Sequence, residues 1–145
     1  MLTTTAALEA VLDAMPAFTA GPVSLDSAVG RVLRQNIVAE RDQPPFDRVM
    51  MDGIAIAYAD FASGQRDFTI QATQAAGDAR LTLEPGNAIE IMTGASLPDG
   101  ADCIIPVERI EVAKGTAHIE ANYGASGRQF IHPRGSDHAL SLIHI

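Results

Sequence analysis

From Ile37 to Asn122 the chain repeats one pattern: a short run of apolar residues alternating with small or polar ones, then a turn signal. "DGIAIAYAD" sets Ile54, Ile56 and Tyr58 against three alanines, and "DFTIQAT" sets Phe68, Ile70 and Ala72 against polar neighbours. "NAIEIMTG" puts Ile89 and Ile91 on one face, while "NIVAE", "CIIPVERIEVA" and "TAHIEA" are further strand-like runs. Between them stand Ser63-Gly64, Gly77-Asp78, Pro85-Gly86, Pro98-Asp99-Gly100, Lys114-Gly115 and, just past the last run, Tyr123-Gly124. Alternation of period two marks strands with one buried face, and Gly, Pro, Asn and Asp clusters mark the reversals between them. The pattern predicts a mostly β unit and argues against a Rossmann-like domain, because strands do not alternate here with long helices.

The N-terminal 36 residues read differently. Leu8, Val11, Leu12 and Met15 recur at helical spacing, which predicts a helix from Thr5 to Phe18, capped by the threonines before it and ended or bent at Pro16. "SLDSAVGRVL" predicts a second short helix, capped by Ser24 or Asp26. Its apolar face would be Leu25, Ala28, Val29, Val32 and Leu33. Gly30 inside it costs roughly 1 kcal/mol against Ala, so it allows close packing or a break. With 145 residues the chain can form one domain or two small ones.

Charge excludes one class of function. The net charge is −8, with ten basic residues and no basic run, so a broad nucleic-acid surface is not supported. A local anion site built from backbone N–H groups and one or two arginines remains open. The single cysteine, Cys103, forms no internal disulfide and no multi-cysteine metal site, and its apolar setting predicts a buried, inert thiol. The start lacks a basic, signal-like segment and no apolar run reaches the ~20 residues of a membrane span, so a cytoplasmic protein is expected.

Two segments carry candidate chemistry. "QPPFDRVMMDGIAIA" opens with two prolines, a rigid extended entry, and reaches Asp52-Gly53, a favoured turn dipeptide. Asp52 is either a turn-former or a carboxylate facing a ligand from between Met50, Met51 and the strand that follows. "EIMTGASLPDGAD" runs from a strand into Thr93-Gly94-Ala95-Ser96, either an ordinary strand-end turn or a cradle of N–H and hydroxyl donors for an anion. No phosphate-loop signature is present. "HPRGSD" offers Arg134 as a surface-turn residue or a phosphate or carboxylate contact. His118, His132, His138 and His144 show no metal-ligand spacing.

These segments together resemble a known family. "PPFDRVMMDGIAIA" resembles the P-P-F-D-x-x-x-M-D-G-[YI]-A segment of the molybdopterin molybdenumtransferases, the MoeA and gephyrin E-domain family. "EPGNAIEIMTGASLPDGADCIIPVE" is similar to its P-G-x-A-x-x-I-M-T-G-A-x-[LV]-P-x-G-A-D-x-[VI] segment. "LDSAVGRVLRQNIVAERDQPPFD" and "FIHPRGSD" resemble the runs before and after. Four motifs in order, from about Leu25 to Asp137, cover nearly the whole chain.

The resemblance implies a fold that is mainly β with N-terminal helices, with bent and branched sheets in two subdomains. One would be 1–37 with 123–140, discontinuous; the other the inserted β subdomain 38–122. It implies insertion of molybdenum, delivered as molybdate, into adenylylated molybdopterin, with release of AMP and Mg2+ present, in a homodimer. Carried over residue by residue, Asp52 and Thr93 fall on catalytic positions, with Asp52 a metal ligand. Asp47, Gly94, Ser96, Arg134 and Asp137 fall on substrate-binding positions. Arg48-Val49-Met50 stands where many members carry N-S-A, and Ile54 where many carry Tyr. The family's pterin-binding and final β domains would follow Asp137 and are not in this sequence, so the chain alone is expected to be inactive. The end, "SLIHI" at 141–145, reads as a truncation or as foreign residues. The alternative is a non-catalytic dimerisation or binding module of the same fold.

Overall fold

The computed structural model describes residues 2–16 and 18–139, and the backbone of 142–143. The chain divides into two units, Met1–Asn36 and Ile37–Ile145. Of the expected truncated or foreign tail, Ser141, His144 and Ile145 lie outside the described residues. Among the described residues no helix is long and apolar enough to cross a membrane.

In the first unit α1 spans Thr4–Ala14. The Thr3 hydroxyl caps it by accepting from the Ala6 N–H at 3.2 Å. It stops because Met15, the residue before Pro16, is extended at φ −72° and ψ 133°, as proline demands of its predecessor. The helix predicted from "SLDSAVGRVL" is reduced to one 3-10 turn, Leu25–Ser27. Gly30 adopts φ +79°, a left-handed conformation that no right-handed helix continues through. Gly30 is therefore a break. The expected apolar faces are exposed: Leu8, Val11 and Leu12 on α1, and Leu25, Val29 and Val32 beyond it.

Among the described residues the second unit holds ten strands, of which β10 is known only as backbone. They are β1 (Ile37–Val38), β2 (Arg48–Val49), β3 (Gly53–Ile56), β4 (Asp67–Gln74), β5 (Asn87–Ile91), β6 (Cys103–Pro106), β7 (Ile110–Ala113), β8 (Thr116–Ile119), β9 (Ile131–His132) and β10 (Leu142–Ile143). Six form one sheet in the order β6-β3-β5-β4-β8-β7. The neighbours are antiparallel except β4 and β5, which are parallel and joined by residues 75–86. A parallel pair needs a crossover of about a dozen residues, and this one is made without a helix. Small ribbons pair β1 with β10 and β2 with β9.

The core lies on both faces of that sheet. Ile54, Ile56, Phe68, Ala88, Cys103 and Ile105 pack on one side, with Phe61 of α2 (Tyr58–Ala62). Ala55, Ile89, Ile91 and Ile104 pack on the other, with Val49, Leu97 and Ile131. The period-two pleat of β3 therefore feeds both cores, and all four of its residues are buried. Each fully buried Ile contributes about 1.5–3 kcal/mol of transfer free energy. The alternation read as far as Tyr58 ends early. At Tyr58 the chain turns into α2, and the Asp102 Oδ1 accepts from the Tyr58 N–H at 2.6 Å, replacing a strand bond with a cap.

Candidate functional site

Sheet register brings the two main candidates together. Gly53 lies opposite Ile91 in the β3–β5 pair, so Asp52, one residue before β3, meets the chain just past the end of β5. There Asp52 Oδ1 accepts both the Thr93 N–H, at 2.6 Å, and the Thr93 hydroxyl, at 2.7 Å. These two bonds, the backbone one first, hold the Asp52 carboxyl below the ordinary aspartate value of 3.8. Both residues are exposed, so the charge faces outward. Gly53 is required here: its φ is +154°, and a Cβ would run into the carbonyl of Ile105 on β6. The close approach of that backbone sets Asp52 at the sheet's end.

Of the two readings of the Thr93–Ser96 turn, the hydrogen bonds favour the ordinary strand-end turn, with three of its N–H groups, those of Thr93, Gly94 and Ala95, taken up within the protein. The Gly94 N–H donates to Val49 O, Ala95 N–H to Met92 O and Leu97 N–H to Asp47 O. The anion that Thr93 meets is the protein's own Asp52. Gly94, at φ +89°, turns the chain without strain. Ser96 is held from behind by Gln74, a fully buried side chain. Gln74 Nε2 donates to the Ser96 carbonyl at 2.6 Å, and its Oε1 accepts from the Leu81 N–H at 2.8 Å.

The remaining candidates gather a few residues away, where 42–47 docks on 132–138. Asp47 Oδ1 accepts from the Arg134 backbone N–H and Oδ2 from Arg128 Nη2, each at 2.8 Å. These bonds, the Arg134 backbone first, hold the Asp47 carboxyl below its ordinary value despite partial burial. The Arg134 side chain reaches Asp42 at 2.7 Å through Nε. Asp137 pairs with His132 Nε2 at 2.7 Å, and its backbone N–H donates to Gln43 O. The structure thus makes two groups: Asp52 with Thr93, and Asp47 with Arg134, Asp137 standing beside the second.

Arg80, Arg128 and Gln74 were not singled out from sequence. Each is an isolated residue with no motif spacing, and only the crossing of distant loops shows its place. Among the described residues no three or more His, Cys, Asp or Glu side chains come together as a metal site. Asp52 alone is a fit for Mg2+ of the usual kind, which takes one or two carboxylates and completes its shell with water and ligand phosphate.

The comparisons with known proteins agree with this architecture. A family described as the MoeA N-terminal region, domains I and II, matches residues 2–141. The molybdopterin molybdenumtransferase of Synechocystis is 38% identical over 138 residues, covering 94% of this chain and 35% of the relative. That of Bacillus subtilis is 34% identical over 91 residues. A crystal structure of the molybdopterin biosynthesis MoeA protein from Pyrococcus horikoshii superposes with a TM-score of 0.74 at 31% identity, covering 85% of this chain and 33% of that one. The chain spans about a third of the length of these longer proteins. With motifs, fold and a match over residues 2–141 in agreement, the chain belongs to the family of the MoeA N-terminal region.

Proposed function

We propose that this chain supplies the front part of a molybdenum insertase, which incorporates molybdate into adenylylated molybdopterin and releases AMP in molybdenum cofactor biosynthesis. The observation that carries the reading is the Asp52–Thr93 pair, an outward-facing carboxylate fixed by two short hydrogen bonds. It sits within a family whose longer relatives are named molybdopterin molybdenumtransferases. Thr93 saturates one carboxylate oxygen, which leaves Oδ2 to face substrate, to hold Mg2+, or to orient a water. Mg2+, when bound, would offset phosphate charge. Gly94 and Ser96 follow Thr93 in its turn, and Asp47, Arg134 and Asp137 are assigned to substrate binding as a second group. The other wall belongs to a pterin-binding domain outside this sequence.

The division into 1–37 with 123–140 and 38–122 belongs to the same proposal, as does a homodimer. A non-catalytic binding or dimerisation module is the second reading. The exposed apolar residues Leu8, Val11, Leu12 and Met15 favour it. Mixing the chain with the remaining part of a relative, and measuring molybdate- and Mg2+-dependent cofactor formation, separates the two. The insertase reading expects no activity from the chain alone and activity on complementation. The module reading expects none in either case.

A further inference from the structure

One of the two cores is open at one end. Ile54, Ile70 and Ile110, which belong to it, line a cavity of about 200 Å3. Val107, just past β6, and Val112 on β7 also line it, and they are 51% and 53% exposed. Apolar surface left in water gains about 25 cal/mol per Å2 when a guest covers it. The cavity lies below the range of about 300–1,000 Å3 of small-molecule sites, so it suits one side chain better than a whole ligand.

The charge of this cavity is of one sign. Glu90 and Asp52 line it, and among the described residues no Lys, Arg or His does. Sheet register explains their placing. Glu90 stands opposite Ile54 in the β3–β5 pair, so it shares the face that carries Ile54, and Asp52 comes two residues before Ile54. Diagonal neighbours across an antiparallel pair are about 7–8 Å apart. That is too far for the two carboxylates to bond each other, and near enough for each to attract a cation held by the other.

The two carboxylates are not equivalent. Asp52 is fixed by Thr93 and faces outward. Glu90 is half-buried and held by one bond, its Oε2 accepting from the Thr73 hydroxyl at 2.7 Å. An ionised carboxylate offers about four acceptor positions, and Thr73 uses one of them. Glu90 Oε1 has no partner among the described residues. The Thr73 bond orients the Glu90 side chain before any guest arrives, which lowers the ordering cost of binding.

We propose that this cavity receives one arginine side chain from a docking protein segment, its aliphatic stem against Ile70, Val107 and Val112 and its guanidinium on Glu90. Arginine lays its stem along apolar surface while its charged head stays at the rim. Its planar fork matches a carboxylate through two parallel N–H···O bonds, where lysine presents a point charge. A purely apolar side chain would cover the wall and leave the Glu90 carboxylate unpaired. Asp52 adds attraction for the cation without being its anchor. The inference goes beyond the insertase reading and does not rest on it, since Glu90, Val107 and Val112 have no role there.

Methyl chemical-shift titration of the full chain with a blocked Gly-Arg-Gly peptide tests it, against matched peptides with citrulline, lysine or norleucine in place of arginine. Saturable shifts at Ile70, Val107, Ile110 and Val112 are expected from the arginine peptide, with affinity about fivefold or more above each matched peptide. Glu90→Gln should lower that affinity about fivefold or more, and its amide oxygen still accepts from the Thr73 hydroxyl. Val107→Ser, at an exposed position, should weaken binding without touching the charge. Thermal unfolding confirms that both variants remain folded. Asp99→Asn, at an ion pair outside the cavity, should bind as the parent does. Absence of saturable shifts, equal affinity of any matched peptide, or a folded Glu90→Gln chain with undiminished affinity overturns the proposal. The insertase reading stands or falls separately, on AMP release.

Discussion

Asp52 and Thr93 stand 41 residues apart and meet on one atom: Asp52 Oδ1 takes both the Thr93 N–H and the Thr93 hydroxyl. The pairing follows from β3–β5 register, which seats Gly53 opposite Ile91 and so delivers Asp52 to the end of β5. Because both bonds favour the ionised carboxylate, Thr93→Val should raise the Asp52 pKa part of the way back towards 3.8. The backbone bond, the larger cause, survives the substitution. Carboxyl-carbon NMR titration reads the shift directly; an unchanged or lowered value would show that the hydroxyl does not stabilise the charge.

Asp47 gives a prediction about acid. Its folded pKa is depressed, so its bonds to Arg134 and Arg128 stabilise the fold above the ordinary value of 3.8. That contribution is lost as pH falls through the lower folded value. Denaturant midpoints of the parent should therefore drop between pH 5 and pH 3 by more than those of Asp47→Asn. At neutral pH, Asp47→Ala should cost about 1.5–3 kcal/mol, the range for hydrogen bonds to a charged group. Equal acid sensitivity in parent and Asp47→Asn would remove Asp47 from the account.

Gln74 carries a structural prediction. Gln74→Leu leaves the Ser96 carbonyl and the Leu81 N–H without their partner inside the protein. Each unsatisfied group costs about 1–3 kcal/mol. Chemical denaturation should show a loss in that range or somewhat above. Amide exchange should quicken at Leu81 and through 93–97. A loss below about 0.5 kcal/mol would mean that water replaces the amide at no cost.

Cys103 lies fully buried, and desolvation together with the neighbouring Asp102 pushes its thiol up to about 12. At pH 8 the reactive thiolate is therefore scarce in the folded chain. Alkylation should proceed only on unfolding, with a rate that follows denaturant concentration. Rapid labelling of the native chain would contradict the placement of Cys103 in the buried core with Ile54, Ile56 and Phe68.

Most of the sheet was legible because its signal is local. Alternation in "DFTIQAT" and "NAIEI", bounded by glycine turns, marks β4 and β5 without knowledge of their partners. Their parallel pairing was not legible, since pairing is set by crossover geometry and by burial on both faces. The second N-terminal helix was over-read: periodicity of Leu25, Val29 and Val32 outweighed Gly30, whose left-handed φ ends the turn. At the site, Asp52 was legible as a turn residue and its neighbours as small residues. That the Thr93 and Gly94 N–H groups are spent on the protein itself was not, because their acceptors at Asp52 and Val49 lie over 40 residues away. Gly53 shows the same limit from the other side: only the approach of the Ile105 carbonyl reveals why the Asp-Gly step cannot be Asp-Ala. Gly53→Ala should destabilise the chain by at least about 1–3 kcal/mol, the range for overpacking.

The central claim is that Asp52 acts on a substrate in a cleft completed by another domain. The direct measurement replaces the first third of the Synechocystis relative with this chain and follows molybdate-dependent AMP release. The account predicts an active chimera, and a loss of about 10²-fold or more in Asp52→Ala with an unchanged circular dichroism spectrum, the scale for a group acting in the transition state. An active chimera whose Asp52→Ala variant releases AMP at the parental rate would contradict it.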